Sequence, residues 1–336
     1  MKTAFITGLS GQDGSYLAEF LVEKGYKVVG MVRRRSDSDL TRLQKVLPHV
    51  EIVYGDLGDI SSLHTIMKKY KPDEIYNLGA QSFVGESWNQ PIVTSEVTGL
   101  GALRVLEAMR AHCPKAKFYQ ASSSEMFGNS ETETQNENTP FTPRSPYGCA
   151  KLFAHWISTN YRESYDMFCS NGLLYNHESP RRGTVFVTKK IVDAVVKIKH
   201  GELDCVYLGD LDTKRDWGHA KDYVRAMWMI LQHDKPDDFV IGTGKTNSVR
   251  YFLEQAFKRS GMEIESNGKK GLLEEYTIKG TTRVVVRIDK RFMRPAELYC
   301  LKADYSKAKA ILGWEPKYSF DDLIDDMLRA ENGRTK

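Results

Sequence analysis

The sequence predicts an α/β fold: a doubly wound parallel sheet followed by a smaller C-terminal α/β lobe for substrate. Two observations predict the sheet. Short apolar, β-branched runs alternate with longer amphipathic stretches through the first half, and a glycine-rich turn joins the first run to the first amphipathic stretch. A third observation predicts the lobe. After about residue 175 the rhythm breaks, and the rest does not repeat the first half.

Taken in order, Thr3–Thr7, Lys27–Val32, Glu51–Tyr54, Glu74–Asn77 and Lys117–Gln120 read as strands. Helical spacing fills the intervals at Ser15–Lys24, with Leu17, Phe20 and Leu21 on one face, and at Ser61–Lys69 and Thr98–Ala111. Parallel strands covered by helices on both faces are apolar on both sides, as these runs nearly are. Beyond them, Thr184–Lys199 and Ala220–Gln232 read as helices and Val206–Leu208 as a short strand. Ser260–Asp289 is rich in Gly, Lys and Glu, with one β-branched run at Thr281–Ile288. Residues 1–175 are expected to bind a dinucleotide. Residues 176–336 are expected to form mainly the substrate lobe, with later segments returning to the first domain. The polar end, Glu331–Lys336, is expected to fray.

The 336 residues allow about two domains. With 41% hydrophobic and 27% charged residues, the chain is neither disordered nor collagen-like. No run approaches the ~18 apolar residues of a membrane span. The opening Met1–Gly8 reaches glycine too early for the apolar core of a secretory signal. A net charge of +4 does not imply nucleic acid, though it suits an anionic small ligand where arginines cluster. Cys113, Cys149, Cys169, Cys205 and Cys300 are odd in number and widely spaced, without a CxxC pair. That argues against a disulfide framework and fits a reducing cytoplasm. The dispersed histidines have no metal spacing, so no metal is expected.

Gly8-Leu9-Ser10-Gly11-Gln12-Asp13-Gly14 follows the first strand and opens the first helix. Glycines there permit a tight turn and close approach to a pyrophosphate, and the helix N-terminus offers free N–H groups. Gly8, Gly11, Gln12, Asp13 and Gly14 are the candidates. A plain glycine-rich turn is the alternative; the position between strand and helix favours the Rossmann-type reading. After the second strand, Arg33-Arg34-Arg35-Ser36 stands where an acidic residue would bind an NAD ribose. Guanidinium groups and a hydroxyl suit a 2′-phosphate instead, so NADP is expected over NAD, with a solvated basic loop as the alternative. Asp56 and Leu57 are placed to touch the adenine. Leu78, Ala80 and Ser82 are placed to line the ribose and nicotinamide side, at carboxyl ends of strands.

Tyr147 and Lys151 lie four apart, on one face of a helix. An ammonium there can lower the phenol's pKa and bond a nicotinamide ribose, making the phenol a base for a sugar hydroxyl. Upstream, Ser122-Ser123-Ser124-Glu125 follows the fifth strand. A serine there can hold the same substrate oxygen, although backbone capping also explains such a turn. Trp217 and Trp314 are expected in the core, His219 in a structural hydrogen bond and Cys149 in packing.

Glycine turn, serine loop and Tyr–Lys helix occur in the order of the extended short-chain dehydrogenase/reductase family. The chain resembles its nucleotide-sugar-modifying members over nearly its whole length. The most specific runs are Asn176-His177-Glu178-Ser179-Pro180-Arg181-Arg182-Gly183 and Arg215-Asp216-Trp217-Gly218-His219-Ala220-Lys221-Asp222-Tyr223, joined by Arg294-Pro295-Ala296-Glu297. The resemblance implies a 4,6-dehydratase acting on a GDP-sugar, with mannose expected and a manno-heptose as the alternative. A non-catalytic NADP-sensing protein is the rival from another class, disfavoured because Tyr147 and Lys151 are both present. By resemblance, Ser123 stands where threonine is usual, Glu125 is the acid/base of elimination, Tyr147 the redox base and Lys151 its partner. His177 and Arg182 match cofactor contacts. Asn176, Arg215 and Arg294 match diphosphate ligands. Ser82, Ser123, Glu125, Lys190 and Glu297 complete the substrate side. Relatives usually carry tyrosine near Val93, which puts one cofactor contact in question. The resemblance also implies a homo-oligomer, a tetramer before a dimer, through Thr98–Ala111, Pro146–Tyr161 and the loop Arg33–Ser38.

Overall fold

The computed structural model describes residues 1–34, 36 and 39–333. The strands β1 (Thr3–Thr7), β2 (Lys27–Val32), β3 (Val50–Tyr54), β4 (Glu74–Asn77), β5 (Lys117–Ser123) and β6 (Cys169–Leu174) form one parallel sheet. Asp238–Ile241, far beyond residue 175, adds a seventh strand beside β6. The order from that edge is 238–241, β6, β5, β4, β1, β2, β3. The direction of winding reverses between β4 and β1, which opens a crevice above their carboxyl ends.

Helices α1 (Gln12–Glu23), α2 (Ile60–Tyr70), α3 (Pro91–Thr94), α4 (Gly101–His112), α5 (Pro146–Tyr165), α6 (Val187–Lys199) and α7 (Ala220–Gln232) follow in chain order. Alternation along β1 sorts the two covered faces. Ala4 and Ile6 pack with Leu17 and Leu21 of α1 and Met227 and Ile230 of α7. Phe5 points to Leu63 and Met67 of α2 and Val105 and Met109 of α4. Burying these apolar side chains on both faces is the main source of stability.

The expected elements differ at informative places. α1 begins at Gln12 rather than Ser15, directly on the glycine turn. β5 runs on to Ser123 and carries the serines into the crevice. A π-helical stretch, Ser95–Leu100, precedes α4. Sequence alone missed β6 because Ser170, Asn171 and Gly172 interrupt its apolar pattern, yet all are buried. Asp238 accepts from the Asn171 amide there at 2.8 Å.

The second lobe contains β7 (Asn176–Glu178), β8 (Val206–Leu208) and β9 (Lys214–His219), with β10 being Asp238–Ile241 of the large sheet. Next come β11 (Thr246–Ser248), β12 (Ile264–Ser266), β13 (Glu275–Ile278), β14 (Val284–Ile288) and β15 (Cys300–Leu301). One small sheet orders β12, β13, β14 and β8; another orders β11, β9 and β15, with β7 beside β9. The expected run Thr281–Ile288 is a turn followed by β14. Helices α8 (Val249–Arg259), α9 (Ser306–Leu312) and α10 (Phe320–Asn332) are also present; α6, α8 and α10 share one apolar core.

Trp217 and Trp314 are buried, as expected. His219 caps α7 by accepting from Lys221 N at 3.1 Å, and its Nε2 lies 3.1 Å from Asp326. Cys149 is exposed, not packed, because it faces away from the wall that holds Tyr147 and Lys151. Arg35, Asp37 and Ser38 of the basic loop, and residues 334–336 of the polar end, lie outside the described residues. Among the described residues, no helix is long and apolar enough to cross a membrane, and no group of three His, Cys, Asp or Glu could hold a metal.

Candidate active site

A cleft of about 570 Å³ lies above the carboxyl ends of β1, β4 and β5, walled on its far side by the second lobe. Thr7 ends β1; its hydroxyl donates to Asn77 Oδ1 at 2.7 Å and accepts from the N–H of Leu78 and Gly79 at 3.1 and 3.0 Å. Gly8 then takes φ +72°, where a side chain would be strained, and a Cβ there would meet Gly79 at 2.9 Å. A Cβ on Gly14 would stand 2.3 Å from Gly8 O. Gly11 begins α1 without any side-chain cap, leaving the first N–H groups free for an anion.

Gln12 is held by the second lobe: its amide donates to His177 O at 3.1 Å and its carbonyl accepts from Ser179 at 2.7 Å. His177 Nδ1 lies 2.7 Å from Tyr175 O and its Nε2 lies 2.8 Å from Asp13 Oδ2. Both partners accept, so the ring carries both protons. Burial opposes that charge, but the Asp13 carboxylate outweighs it and holds the imidazole above its ordinary range. Burial likewise works against the Asp13 carboxylate, and His177 reverses it, holding that carboxyl below its ordinary range.

Leu78, Ala80 and Ser82 line the cleft, as do Gly8, Gly11, Gln12, Asp13 and Gly14. Arg33, Arg34 and Ser36 are exposed beyond β2, where Arg34 lies 5.1 Å from the Tyr54 ring centre. Asp56 accepts from Gly58 N at 2.8 Å. Leu57 is buried under Gly79 and Gly101, which a side chain on either would press. These five stand outside the lining of the cleft, at the end of the sheet beside it. Val93 is exposed on α3, also away from the lining.

The opposite wall gathers Ser123, Glu125, Tyr147 and Lys151. Ser123 closes β5 and its hydroxyl accepts from Glu125 N at 3.3 Å, which turns Glu125 into the cleft. Ser145 caps α5 by accepting from Gly148 N at 3.0 Å, with Pro146 in the first turn, so Tyr147 and Lys151 project side by side. Lys151 donates to Ala121 O at 2.6 Å and stands 5.8 Å from the Tyr147 ring centre. Burial pushes the Tyr147 phenol well up, against a hydrogen bond with Ser123 that pulls it down. Burial also pushes the Lys151 ammonium down to about 8. In this arrangement burial governs the phenol, so the expected lowering by Lys151 is not reached.

The second lobe supplies Asn176, His177, Arg182, Lys190, Arg215, Arg294 and Glu297 to the same cleft. Arg182 Nε lies 3.0 Å from Glu178 and its guanidinium 3.5 Å from the Phe186 ring centre. The Lys190 amine lies 3.2 Å from the Phe292 ring centre, and burial pushes it down to about 8. Arg215 donates to Leu298 O at 2.7 Å and to Glu297 at 2.8 Å. Arg294 reaches Glu125 at 3.3 Å. Sequence reasoning missed Glu178, whose buried carboxylate holds Arg182 and accepts from Thr188 at 2.6 Å. It also missed Phe83, which meets Phe186 edge-on at 5.8 Å across the cleft. Glu178 lay within the specific Asn176–Gly183 run; nothing local marked Phe83.

The family model for GDP-mannose 4,6 dehydratase matches residues 5–327. The chain belongs to the GDP-mannose 4,6-dehydratase family. Its GDP-mannose 4,6-dehydratase relative from Yersinia enterocolitica is 49% identical, covering 100% of this chain and 95% of the relative. The Homo sapiens GDP-mannose 4,6 dehydratase is 50% identical over 98% of this chain and 91% of its own length. The fold is shared more widely. A Streptomyces venezuelae dTDP-glucose 4,6-dehydratase, solved with NAD and TYD bound, superposes with a TM-score of 0.83 at 20% identity, covering 98% and 97% of the two chains. The chain thus shares its overall fold with that more distant protein.

Proposed function

We infer that the chain performs the reaction for which its family is named. As a hydro-lyase it converts GDP-mannose to GDP-4-dehydro-6-deoxy-mannose by oxidation at C4, loss of water across C5–C6 and reduction at C6. The observation that carries this reading is Glu125, a buried carboxylate in the wall that holds Ser123, Tyr147 and Lys151. A reductase needs only the last three. Elimination also needs a base for the C5 proton and an acid for the departing hydroxyl.

The glycine turn and the uncapped start of α1 fit a dinucleotide pyrophosphate. NADP is favoured over NAD because arginines, starting at Arg33 and Arg34 and followed by Ser36, stand directly after β2 where an acidic residue would bind an NAD ribose. Bound NADP supplies hydride acceptance at C4 and hydride return at C6. Tyr147 takes the proton of the C4 hydroxyl as the phenolate, which forms once a cation faces it, and Ser123 holds the same oxygen. Lys151, one helical turn away, turns from Ala121 O toward the ribose and brings a cation to the phenol. With a carbonyl at C4, the C5 proton is acidic. Glu125 removes it and delivers a proton to the C6 hydroxyl, which leaves as water; a proton later returns to C5. Asn176, Lys190, Arg215, Arg294 and Glu297, with Ser82, form the GDP-sugar side.

The working enzyme is a cytoplasmic homo-oligomer, a tetramer before a dimer. Phe153 and Trp156 on α5 and Ile92 and Val93 on α3 leave apolar side chains exposed, which supports assembly through these helices. Incubation with GDP-mannose and no added cofactor tests the activity. The product should have lost one water and carry a 4-keto, 6-methyl sugar by NMR. GDP-mannose still unchanged after NADP is added back, or a stoichiometric requirement for added NADPH, would overturn the reading.

A further inference from the structure

The cleft holds a chain of four alternating charges. Arg215 is buried and fixed: it donates to Leu298 O at 2.7 Å, Lys214 O at 2.9 Å and Glu297 Oε1 at 2.8 Å. The same Glu297 oxygen accepts from Leu298 N at 3.1 Å and lies 3.8 Å from Arg294 Nη1. Arg294 Nη1 lies 3.3 Å from Glu125 Oε1. Two guanidinium groups facing one cleft repel, and Glu297 offsets that repulsion from between them.

The two arginines are held unequally. Arg215 has three close partners and a buried side chain. Arg294 is 30% exposed and rests on two long contacts. It is the group that an arriving dianion displaces at least cost. One of those contacts is with Oε1 of Glu125, the carboxylate that takes the C5 proton in the proposed reaction. A carboxylate paired with a guanidinium is a weaker base, so that contact makes Glu125 a poorer acceptor for the proton.

We propose that Glu297 is a positioning residue that holds Arg215 and Arg294 as a pair, and that a nucleoside diphosphate draws Arg294 off Glu125. Occupancy of the diphosphate end thereby clears the carboxylate that acts at the sugar end. Glu297 thus acts through the arginines rather than on the sugar. The inference rests on the functional reading above and adds a coupling to it. It implies that free enzyme keeps Glu125 covered.

Titration of the holoenzyme with GDP tests it, alongside structures of the holoenzyme with and without GDP. Parent turnover of GDP-mannose in the same preparation separates failure of this inference from failure of the functional reading. Glu297→Gln should weaken GDP about tenfold or more and raise KM by a similar factor, with kcat at saturating substrate changed much less. Glu297→Asp should recover part of the affinity, which a merely structural role would not predict. Arg294→Gln, at a partly exposed site, should weaken GDP by a similar factor. In the GDP-bound structure Arg294 should contact phosphate and leave Glu125. GDP affinity within twofold of the parent in Glu297→Gln, or an Arg294–Glu125 pair intact beside bound GDP, would overturn the proposal.

Discussion

His177 Nε2 donates to Asp13 Oδ2 at 2.8 Å and ties the second lobe to the first turn of α1. The link has a signed pH dependence. The imidazole is held above its ordinary value, so its contribution is complete below about 6.5 and is lost as pH rises through the raised value. The carboxyl is held below its ordinary value, so its contribution is complete above about 3.9 and is lost as pH falls through the lowered value. The pair is in force between those limits and weakens first on the alkaline side. Thermal melts from pH 6 to 9 should show the parent losing stability more steeply than His177→Gln. The charge-assisted bond contributes about 1.5–3 kcal/mol. Parallel curves would mean that the pair does not stabilise the fold.

The cofactor preference rests on exposed side chains. Replacing Arg33 and Arg34 together with alanine should weaken NADP at least tenfold, because a charge-assisted hydrogen bond contributes about 1.5–3 kcal/mol. NAD should be affected far less. Fluorescence titration with both nucleotides measures this. Equal weakening would show that these arginines do not read a 2′-phosphate.

Gly14→Ala places a methyl 2.3 Å from Gly8 O and 2.7 Å from Leu9 Cα. Both obstacles are backbone, so the turn must shift rather than a side chain. The substitution should cost about 1–3 kcal/mol and lower the nucleotide retained on purification. Urea unfolding and the absorbance ratio of the purified protein check the two effects.

The sheet was legible because β1 to β5 carry apolar runs and the glycine turn marks the crossover into α1. β6 was not, since Ser170, Asn171 and Gly172 are buried for reasons that lie at Asp238 and in neighbouring strands. The grouping of Ser123, Glu125, Tyr147 and Lys151 was legible from spacing and resemblance. The hold on Lys151 was not: Ala121 O, thirty residues away, binds its amine. Nor could spacing reveal that burial dominates the Tyr147 phenol, because desolvation depends on what covers the side chain.

Assembly is open to a direct check. Light scattering at micromolar concentration should give a homo-oligomer, a tetramer before a dimer. Trp156 is 54% exposed on α5, and Trp156→Lys should shift the mass toward monomer without lowering the far-UV helical signal. A monomeric parent would overturn the assembly.

The central claim is that Glu125 performs elimination after Tyr147 has enabled oxidation. Single-turnover absorbance of the reduced cofactor, followed with Tyr147→Phe and Glu125→Gln, separates the two steps. Tyr147→Phe should give neither reduced cofactor nor product. Glu125→Gln should form reduced cofactor and a 4-keto-mannose intermediate, then stall, with turnover down by about 10²–10⁴ and slow C5 exchange in deuterated water. Normal turnover by Glu125→Gln, or a block of oxidation as complete as that of Tyr147→Phe, would contradict the assignment.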